Sequence, residues 1–335
     1  MLKQAFGHKC INVMRAYVLW GLNQALDCTD WDFHEPIKED EVELELKATS
    51  LNHRDVWITK GLYAGIVFPT ILGSDGAGVL NGRRVIINPS LNWGEQSAAQ
   101  PEGFQVLGMP RHGTFAQKIR VPAENVFDIP DHLDFQEAAS LPLAGLTAYR
   151  AVFTKGEMTA KDKVLINGVG GGVASMAFQI AVAIGCEVWV TSGQDWKIER
   201  AKALGAAGGA NYKSTDWHKL LKQKSEGFDL IVDSAAGKNF QSLVYLANPG
   251  ARIVQYGGTL GKMDGLSPQM IFWKQLSIKG STMGSKKDFE GLLQFVKKYK
   301  FHPIIDQVFE FSQLNAAMEK MEQSAQFGKL VVNID

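Results

Sequence analysis

Residues 164–174 read VLINGVGGGVA, an apolar run that passes into a glycine-rich turn. Residues 174–181 then have a helix-forming composition, and residues 187–192 read as a second strand. Glycine lets the backbone turn tightly and lets a ligand approach closely. A helix start offers unpaired N–H groups and a partial positive charge, which suit a pyrophosphate. The order strand, turn, helix, strand therefore predicts a βαβ unit that binds a dinucleotide.

The glycine-rich turn supplies the main candidates for cofactor binding. The third glycine of the usual dinucleotide fingerprint is Ala174 here, which is a permitted variant. The alternative is a turn between a strand and a helix that binds nothing. The predicted cofactor contacts in the turn are Gly168, Gly170, Gly171, Gly172 and Val173.

The end of the second strand predicts which dinucleotide binds. Proteins that prefer NAD usually carry Asp or Glu about twenty residues after the turn, where the carboxylate bonds the ribose 2′-OH. Here Ser192 holds that place, and Lys197 and Arg200 follow it. A hydroxyl beside basic residues suits a 2′-phosphate, so we predict NADP(H), with Ser192 and Lys197 as contacts. Asp195 in the same loop argues for NAD. The alternative for Lys197 is that it belongs to a basic helix face exposed to solvent and contacts no cofactor.

Composition indicates a soluble globular protein of about two domains. The 335 residues are 45% hydrophobic and 21% charged, with a formal net charge of zero. No net field therefore attracts nucleic acid or an anionic membrane, and no apolar run reaches the ~18 residues of a membrane span. The cysteines Cys10, Cys28 and Cys186 are isolated and odd in number, which favours a reducing, cytoplasmic location without disulfides.

The first part of the chain has the periodicity of strands. Residues 41–48 alternate between apolar and polar side chains, which is typical of a half-buried strand. Residues 1–135 are therefore predicted to form a β-rich domain, in which residues 1–13 precede the first strand and read as an extension. The other expected strands, separated by Gly and Pro, lie at 14–20, 76–79, 84–87 and 115–119.

From residue 136 to residue 284, strands alternate with helices. This alternation predicts a doubly wound parallel sheet of the Rossmann type, with ligands at the carboxyl ends of its strands. Residues 285–335 contain an amphipathic helix and a final strand, and we expect them to return to the β-rich domain. The expected strands lie at 163–167, 187–191, 209–212, 229–233, 251–256 and 329–332, and the expected helices at 173–184, 195–204 and 289–299.

Five further motifs accompany the glycine-rich turn: LNHRD at 51–55, GLY at 61–63, GSDGAGV at 73–79, GTFA at 113–116 and LPLAGLTAY at 141–149. In this order they resemble the medium-chain dehydrogenase/reductase superfamily, and within it the zinc-free, quinone oxidoreductase-like branch. The resemblance covers nearly the whole chain from Met14. It implies an α/β fold in which a Rossmann doubly wound parallel sheet joins a β-rich, GroES-like catalytic domain.

The same resemblance predicts that no metal is bound. Zinc-dependent members place Cys, His and Cys around a catalytic metal, and those positions fall at Asn52, Ser74 and Leu143 here. Leucine cannot ligate a metal, and neutral Asn and Ser are poor zinc ligands. Zinc members also carry four clustered cysteines for a structural metal, whereas residues 88–94 here contain none.

The absence of a metal bears on the reaction. Without a Lewis acid, the alkoxide formed in alcohol oxidation is hard to stabilise. Hydride addition to a quinone or an α,β-unsaturated carbonyl needs only hydrogen-bond donors for the enolate oxygen. We therefore predict an NADPH-dependent oxidoreductase for such small molecules, with Asn52 and Tyr63 as catalytic donors. For Tyr63 the alternative is packing in the wall of the cleft.

The resemblance assigns further residues to the cofactor. It places Thr147, Gly257 and Thr259 along the nicotinamide, Tyr212 beside the adenosine phosphate and Lys329 near the pyrophosphate. Arg54 and Asp55 are expected to pair with each other and to orient their loop, without a catalytic role. Asn81-Gly82 is a tight-hairpin pair in a turn shorter than that of relatives.

Residues 275–281 occupy the place where relatives pair strands across a dimer, so the resemblance implies a homodimer. Two other functions remain open at the level of sequence. One is a zinc-free alcohol dehydrogenase or carbonyl reductase. The other is a cofactor-binding structural or RNA-binding protein similar to zeta-crystallin, which the neutral charge and the lack of a basic tract argue against.

Overall fold

The structure is a computed structural model that describes residues 13–33 and 35–335. The extension expected at residues 1–13 therefore lies, apart from its last residue, outside the described residues, and so does Cys10. Within the described residues, no helix is long and apolar enough to cross a membrane.

The described residues form eighteen strands and ten α-helices, of which the sequence predicts a part. The strands are β1 (Met14–Leu19), β2 (Asp27–Trp31), β3 (Glu41–Ser50), β4 (Thr70–Ile71), β5 (Asp75–Leu80), β6 (Arg83–Ile87), β7 (Ser90–Leu91), β8 (Gln105–Val106), β9 (Lys118–Pro122), β10 (Val126–Asp128), β11 (Lys163–Ile166), β12 (Glu187–Ser192), β13 (Gly208–Asn211), β14 (Phe228–Asp233), β15 (Ala247–Gln255), β16 (Ser277–Gly280), β17 (Ile305–Phe309) and β18 (Lys329–Asn333). The α-helices are α1 (His53–Thr59), α2 (Phe135–Ser140), α3 (Pro142–Tyr149), α4 (Gly172–Ala183), α5 (Asp195–Ala203), α6 (Trp217–Ser225), α7 (Phe240–Leu246), α8 (Pro268–Trp273), α9 (Lys286–Tyr299) and α10 (Leu314–Glu322).

The second part of the chain forms a six-stranded parallel sheet in the order β13-β12-β11-β14-β15-β16. The strand order reverses direction between β11 and β14, which makes the crevice beyond their carboxyl ends the place where such sheets bind ligands. The predicted Rossmann doubly wound sheet is thus confirmed.

The glycine-rich turn follows β11 as expected. Gly168 has a φ of +77°, a left-handed conformation that favours glycine. Helix α4 then buries Met176, Phe178 and Ile180 completely against the sheet. The helix begins and ends one residue earlier than the expected 173–184, a difference within the usual uncertainty of helix ends.

The first part forms a mostly antiparallel sheet in the order β10-β6-β5-β3-β18-β17, with β9 also paired to β3. The last strand, β18, pairs antiparallel with β3, so the end of the chain returns to the β-rich part as expected. Helix α9 instead packs against α3. The domain limits at residues 135/136 and 284/285 stay predictions.

Two local expectations in the β-rich part had different outcomes. Asn81 and Gly82 have φ values of +51° and +81°, as a tight hairpin between β5 and β6 requires. The strand expected at 115–119 is wrong in its position, because β9 begins only at Lys118. Phe115 belongs to a loop segment whose backbone pairs with Leu72 and Tyr17.

Candidate active site

A cavity of about 640 Å³ opens between the β-rich part and the carboxyl ends of the parallel strands. The structure brings together in its wall every residue that the sequence assigned to catalysis or to the cofactor, while the roles themselves stay predictions. These residues are Asn52, Tyr63, Thr147, Gly168, Gly170, Gly171, Gly172, Val173, Ser192, Lys197, Tyr212, Gly257, Thr259 and Lys329.

The cavity wall also contains residues that the sequence interpretation did not select. They come from the same loops as the predicted residues, from residues 104–106 and 282–283, from the loop after β14, from α6 and α7, and from the end of α10 and the residues that follow it. For those beside selected residues, such as Lys213 and Tyr256, adjacency was a signal in the sequence; for the others the sequence carried no signal. The residues missed include His53, Arg54, Phe104, Val106, Lys213, Tyr256 and Met283.

The glycine-rich turn leaves room for a ligand. A Cβ atom at Gly168 or Gly171 would meet no other atom within 4 Å. On either side of Gly171 the turn is closed by lysine side chains: a Cβ at Gly170 would lie 2.7 Å from Nζ of Lys197, and one at Gly172 would lie 2.9 Å from Cδ of Lys329. An open turn flanked by cationic chains fits the diphosphate of a dinucleotide.

Positive charge is concentrated beside this turn. Nζ of Lys197 donates to the carbonyl of Ser324 at 2.9 Å. Burial lowers the pKa of Lys197, and the charge of Asp306 opposes that effect. Burial also lowers the pKa of His53, and the nearby charges of Lys329 and Lys197 lower it further. The imidazole is therefore neutral at pH 7 and adds no charge to the two lysines.

The loops after β12 and β13 meet at the far end of the cavity. A Cβ at Gly193 would lie 2.8 Å from Oη of Tyr212 and 3.0 Å from Cε of Lys213, so only glycine fits between them without a shift. Asp195, which argued for NAD, accepts a hydrogen bond from Nδ2 of Asn211 at 2.8 Å. Lys213 is thus the cationic residue packed against the loop that follows Ser192.

Lys329 forms a buried hydrogen-bond network at the opposite end of the cavity. Its ammonium group, 1% exposed, donates to the carbonyl of Leu51 at 2.7 Å, to Oδ1 of Asn52 at 2.8 Å and to Oδ2 of Asp75 at 2.9 Å. An ammonium has three donors, and all three are used. The resemblance assigned Lys329 to the pyrophosphate, and such a contact would have to replace one of these bonds.

Asn52 is held in place by this network. Its Nδ2 donates to Oδ2 of Asp75 at 2.9 Å, while its Oδ1 accepts from Lys329. Asp75 uses its other oxygen to accept from the backbone N–H of Leu143 at 2.7 Å. One of the two N–H donors of Asn52 has no acceptor among the described residues, so it remains available to a ligand.

Arg54 does not pair with Asp55, contrary to expectation. Its Nη1 donates to Oγ of Ser74 at 2.7 Å and to the carbonyl of Leu107 at 2.8 Å. The guanidinium also lies over the ring of Tyr63, 5.2 Å from its centroid. Among the described residues, no carboxylate lies within ion-pair distance of Arg54.

Asp55 is fully buried beneath the same loop. Its Oδ2 accepts from the backbone N–H of Asn52 at 2.8 Å, and its Oδ1 has no partner. Burial raises the pKa of Asp55 to about 6, although the charge of Arg54 opposes the rise. A carboxylate ionised at neutral pH in this place is therefore costly for folding.

The positions of the catalytic metal ligands do not fit zinc. The hydroxyl of Ser74 accepts from Arg54 and donates to the carbonyl of Leu107 at 2.7 Å, and the carbonyl oxygen of Asn52 is bonded to an ammonium group. The side chain of Leu143 is apolar and cannot coordinate a metal. A guanidinium beside Ser74 would also repel a cation.

The segment that corresponds to the structural metal site is held by other contacts. Trp93 is buried, and the guanidinium of Arg150 lies 4.8 Å from its ring centroid. Arg150 also donates to the carbonyl of Ser97 and to Oδ2 of Asp288, each at 2.7 Å. A buried ion pair and an aromatic contact therefore fix this loop.

Comparison with known proteins agrees with this geometry. A family model described as an alcohol dehydrogenase GroES-like domain matches residues 38–131, and one described as a zinc-binding dehydrogenase matches residues 172–298. The zinc-type alcohol dehydrogenase-like protein YogA of Leptosphaeria maculans is 32% identical over 327 residues, which cover 88% of this chain and 90% of the relative. The chain belongs to the medium-chain dehydrogenase/reductase superfamily.

Other members of the superfamily are similar over their whole length. The zinc-type alcohol dehydrogenase-like protein C1773.06c of Schizosaccharomyces pombe is 33% identical, over 91% of this chain and 94% of the relative. A crystal structure of an NAD-dependent alcohol dehydrogenase is 35% identical, with a TM-score of 0.88, over 96% of this chain and all of that one. This medium-chain dehydrogenase/reductase is thus an oxidoreductase that uses a nicotinamide cofactor, in a fold that joins a GroES-like part to a Rossmann sheet.

The buried Asp55 makes stability depend on pH. Its folded-state pKa, about 6, lies above the ordinary value of 3.8, so ionisation costs stability as the pH rises from about 4 through 6. We expect Asp55→Asn to be more stable than the wild type by about 3 kcal/mol at pH 7.5 and by about half of that at pH 5. Urea unfolding of both proteins at the two pH values measures the difference.

The surface variant Asp131→Asn is the control, because Asp131 is exposed. Its difference from the wild type should stay the same at both pH values. A difference for Asp55→Asn that does not grow between pH 5 and pH 7.5 would contradict the raised pKa.

Proposed function

We propose that this protein is an NADPH-dependent oxidoreductase that reduces a quinone or an α,β-unsaturated carbonyl without zinc. The observation that carries the proposal is the chemistry at the former metal positions. There, Ser74 is bonded to a guanidinium and Asn52 to an ammonium, so hydrogen-bond donors stand in place of a Lewis acid. Such donors suffice for an enolate oxygen, and much less so for an alkoxide.

The cavity also has the shape and polarity that such a substrate needs. Aromatic side chains of Trp57, Tyr63 and Phe104 line it beside the free N–H of Asn52. The hydroxyl of Tyr63 makes no hydrogen bond with any described residue, so it remains available to hold or relay a proton at the reacting oxygen. The bound reduced nicotinamide supplies the hydride. Thr147 is fixed by a 2.7 Å hydrogen bond to the carbonyl of Leu143 and lines the same space.

The preference for NADPH rests on the far end of the cavity. Ser192 and Lys213 present a hydroxyl and an ammonium there, and Asp195 is engaged with Asn211. This combination suits a 2′-phosphate, which a free carboxylate would repel. The 35% identical relative is described as NAD-dependent, so the cofactor of this chain needs a direct measurement.

A zinc-free alcohol dehydrogenase is the second candidate, because the similar structure is described as an alcohol dehydrogenase. The two candidates differ in the substrate that reacts when metal is removed. Reduction of quinones and enones in the presence of a chelator supports the first candidate, and oxidation of simple alcohols under the same conditions supports the second.

Cofactor choice gives the first prediction. We expect the KM for NADPH to be about tenfold lower than that for NADH, and we expect Lys213→Ala to raise only the KM for NADPH, by about tenfold, since a charge-assisted bond is lost. Initial rates at varied cofactor concentration measure both values. Lys202→Ala is the matched control, because Lys202 lies on α5 outside the cavity wall and pairs with Glu199. An equal or lower KM for NADH would contradict the preference.

The candidate donors give the second prediction. Asn52→Ala and Tyr63→Phe should each lower kcat for an enone or quinone by about ten- to a hundredfold, the cost of one good donor. Binding of NADPH, followed by its fluorescence, should change little in Tyr63→Phe, because the hydroxyl of Tyr63 makes no hydrogen bond with any described residue. Rates measured across quinones, enones, aldehydes and alcohols, with chelator, test the function itself. Unchanged rates in both variants would assign the two residues to packing.

We also propose that two copies of the chain form a dimer through β16. This strand is the edge of the parallel sheet and pairs on one side only, with β15, within the described chain. Ile278 on the strand is 38% exposed, and Phe272 and Trp273 beside it are 57% and 78% exposed. An unpaired edge with exposed apolar side chains is a template for a second copy of the same strand.

Sedimentation equilibrium tests the dimer. We expect the wild type to have the mass of a dimer at micromolar concentration and Ile278→Lys to shift it toward the monomer, because a charge would be buried at the shared edge. Ile37→Lys is the control, since Ile37 is 43% exposed in the β-rich part, remote from this edge. A monomeric wild type would refute the proposal.

A further inference from the structure

We propose that Arg54 is a catalytic residue: its guanidinium binds and stabilises the oxyanion that forms when hydride adds to a conjugated carbonyl. The inference rests on the proposed reduction of enones or quinones, and it assigns the main electrostatic role to a side chain that the sequence interpretation had set aside. It also favours substrates whose reacting oxygen becomes fully anionic.

The first argument is the state of the buried charge. Arg54 is 7% exposed, and no described carboxylate lies within ion-pair distance of it. A guanidinium carries five N–H donors. Both donors of Nη1 are used, on Ser74 and on Leu107. Nε is buried without a partner among the described residues. Nη2 makes no hydrogen bond with any described residue and is not fully buried, so it can reach a ligand. A largely buried cation without a carboxylate partner is costly unless an anion joins it.

Arg150 shows how the same protein treats a structural arginine. It is 1% exposed, but Nη1 pairs with the carboxylate of Asp288 at 2.7 Å, and Nη2 donates to the carbonyls of Ser97 and Ala98. Nε has no partner among the described residues in either arginine, so the two differ in the carboxylate and in the use of Nη2. Arg150 does not line the cavity, whereas Arg54 does. The difference indicates that the missing partner of Arg54 is a ligand of the cavity.

The second argument is position. Arg54 is bonded to Ser74, and it lines the cavity together with Asn52 and Leu143. Asn52, Ser74 and Leu143 occupy the three positions that hold the catalytic metal in zinc-dependent relatives. The guanidinium therefore places a permanent positive charge beside the site from which zinc would act on the reacting oxygen.

The third argument is preorganisation. The guanidinium is fixed by the hydroxyl of Ser74 and by the carbonyl of Leu107, and the ring of Tyr63 lies 5.2 Å from it. Because these contacts hold it before substrate arrives, no reorganisation is needed as charge develops. Fixed donors of this kind stabilise a transition state more than water does.

The reaction balances as follows. Hydride from the reduced dinucleotide brings its electron pair and forms a C–H bond at the β-carbon. The π pair of the C=C bond then forms a double bond between the α-carbon and the carbonyl carbon. The π pair of the C=O bond moves to oxygen, which gives the enolate. Arg54 donates N–H groups to that oxygen and keeps its proton, because guanidinium is not deprotonated in proteins. A proton from water then forms the C–H bond at the α-carbon, which yields the saturated carbonyl and the oxidised dinucleotide.

A spectroscopic probe tests the charge without turnover. 4-Nitrophenol changes its absorption when it ionises, and its phenolate resembles an enolate in charge. In the wild type with oxidised cofactor bound, we expect the bound phenol to ionise at least one pH unit below the free phenol, a tenfold or greater preference for the anion. Arg54→Met and Arg54→Gln should abolish the preference, and Arg54→Lys should restore part of it.

The matched control is Arg84→Met. Arg84 also stacks on an aromatic ring, that of Phe135, but lies outside the cavity wall. It should leave the ionisation of the bound phenol unchanged. Thermal unfolding of each variant shows whether it is folded. If Arg54→Met does not fold, Arg54→Gln replaces it in the same measurement.

Kinetics separate this inference from the proposed function. We expect Arg54→Met to lower kcat for an enone by about 10²- to 10³-fold and to change the Kd for the cofactor less than twofold. If the wild type ionises the phenol through Arg54 but reduces no enone or quinone, the proposed function is wrong and the oxyanion site stands. The assignment of Arg54 is wrong if the wild type does not shift the pH at which the bound phenol ionises, or if Arg54→Met shifts that pH as much as the wild type does.

Discussion

The buried ion pair between Lys329 and Asp75 is the interaction on which the arrangement of the site depends. The two residues are 254 positions apart, at the starts of β18 and β5, and both are essentially inaccessible to solvent. The same carboxylate accepts from the side chain of Asn52 and from the backbone of Leu143, so a single group orders the starts of α1 and α3. Loss of one partner of such a pair typically costs about 3–5 kcal/mol, because the other charge stays buried.

This pair also couples the β-rich part to the nucleotide-binding part. The stem of Lys329 packs beside Gly172, and the backbone N–H of Gly328 donates to the carbonyl of Gly170. The glycine-rich turn and the donors of the reaction site are therefore held in register by one short segment of chain. A hydride transfer needs such register, since an error of about 1 Å in the position of the reacting groups can cost a hundredfold in rate.

Electrostatics gives the cavity its chemical character. Two lysines, Lys197 and Lys329, flank the glycine-rich turn, and Arg54 adds a third positive charge to the wall of the cavity. Of these three side chains, Lys329 alone contacts a carboxylate of the described residues directly, that of Asp75. Lys197 is influenced by the more distant charge of Asp306. A cavity with this excess of positive charge favours anions, both the phosphates of a dinucleotide and the oxyanion of a reduced carbonyl.

The parts of the fold that could be predicted from sequence are those with a local cause. Gly168 has the left-handed backbone that favours glycine, and the strict alternation over 41–48 corresponds to a half-buried strand. The strand expected at 115–119 failed because pairing with the distant Tyr17 and Leu72, and not local periodicity, sets the backbone there. Lys213 was missed for a similar reason, since only the register of β13 against β12 brings it beside Gly193.

The sequence by itself determined the parallel-sheet unit, the end of it where a cofactor is expected and the lack of metal-ligating side chains at residues 52, 74 and 143, because each of these follows from residue type and short-range spacing. Only the tertiary structure decided which charges meet. Lys329 is bonded to Asp75, and Arg54 is bonded to Ser74 and not to Asp55, because burial selects partners by the space and the acceptors that distant elements bring together. Periodicity along a chain carries no record of those acceptors, so the side chains with the most chemistry were the hardest to assign.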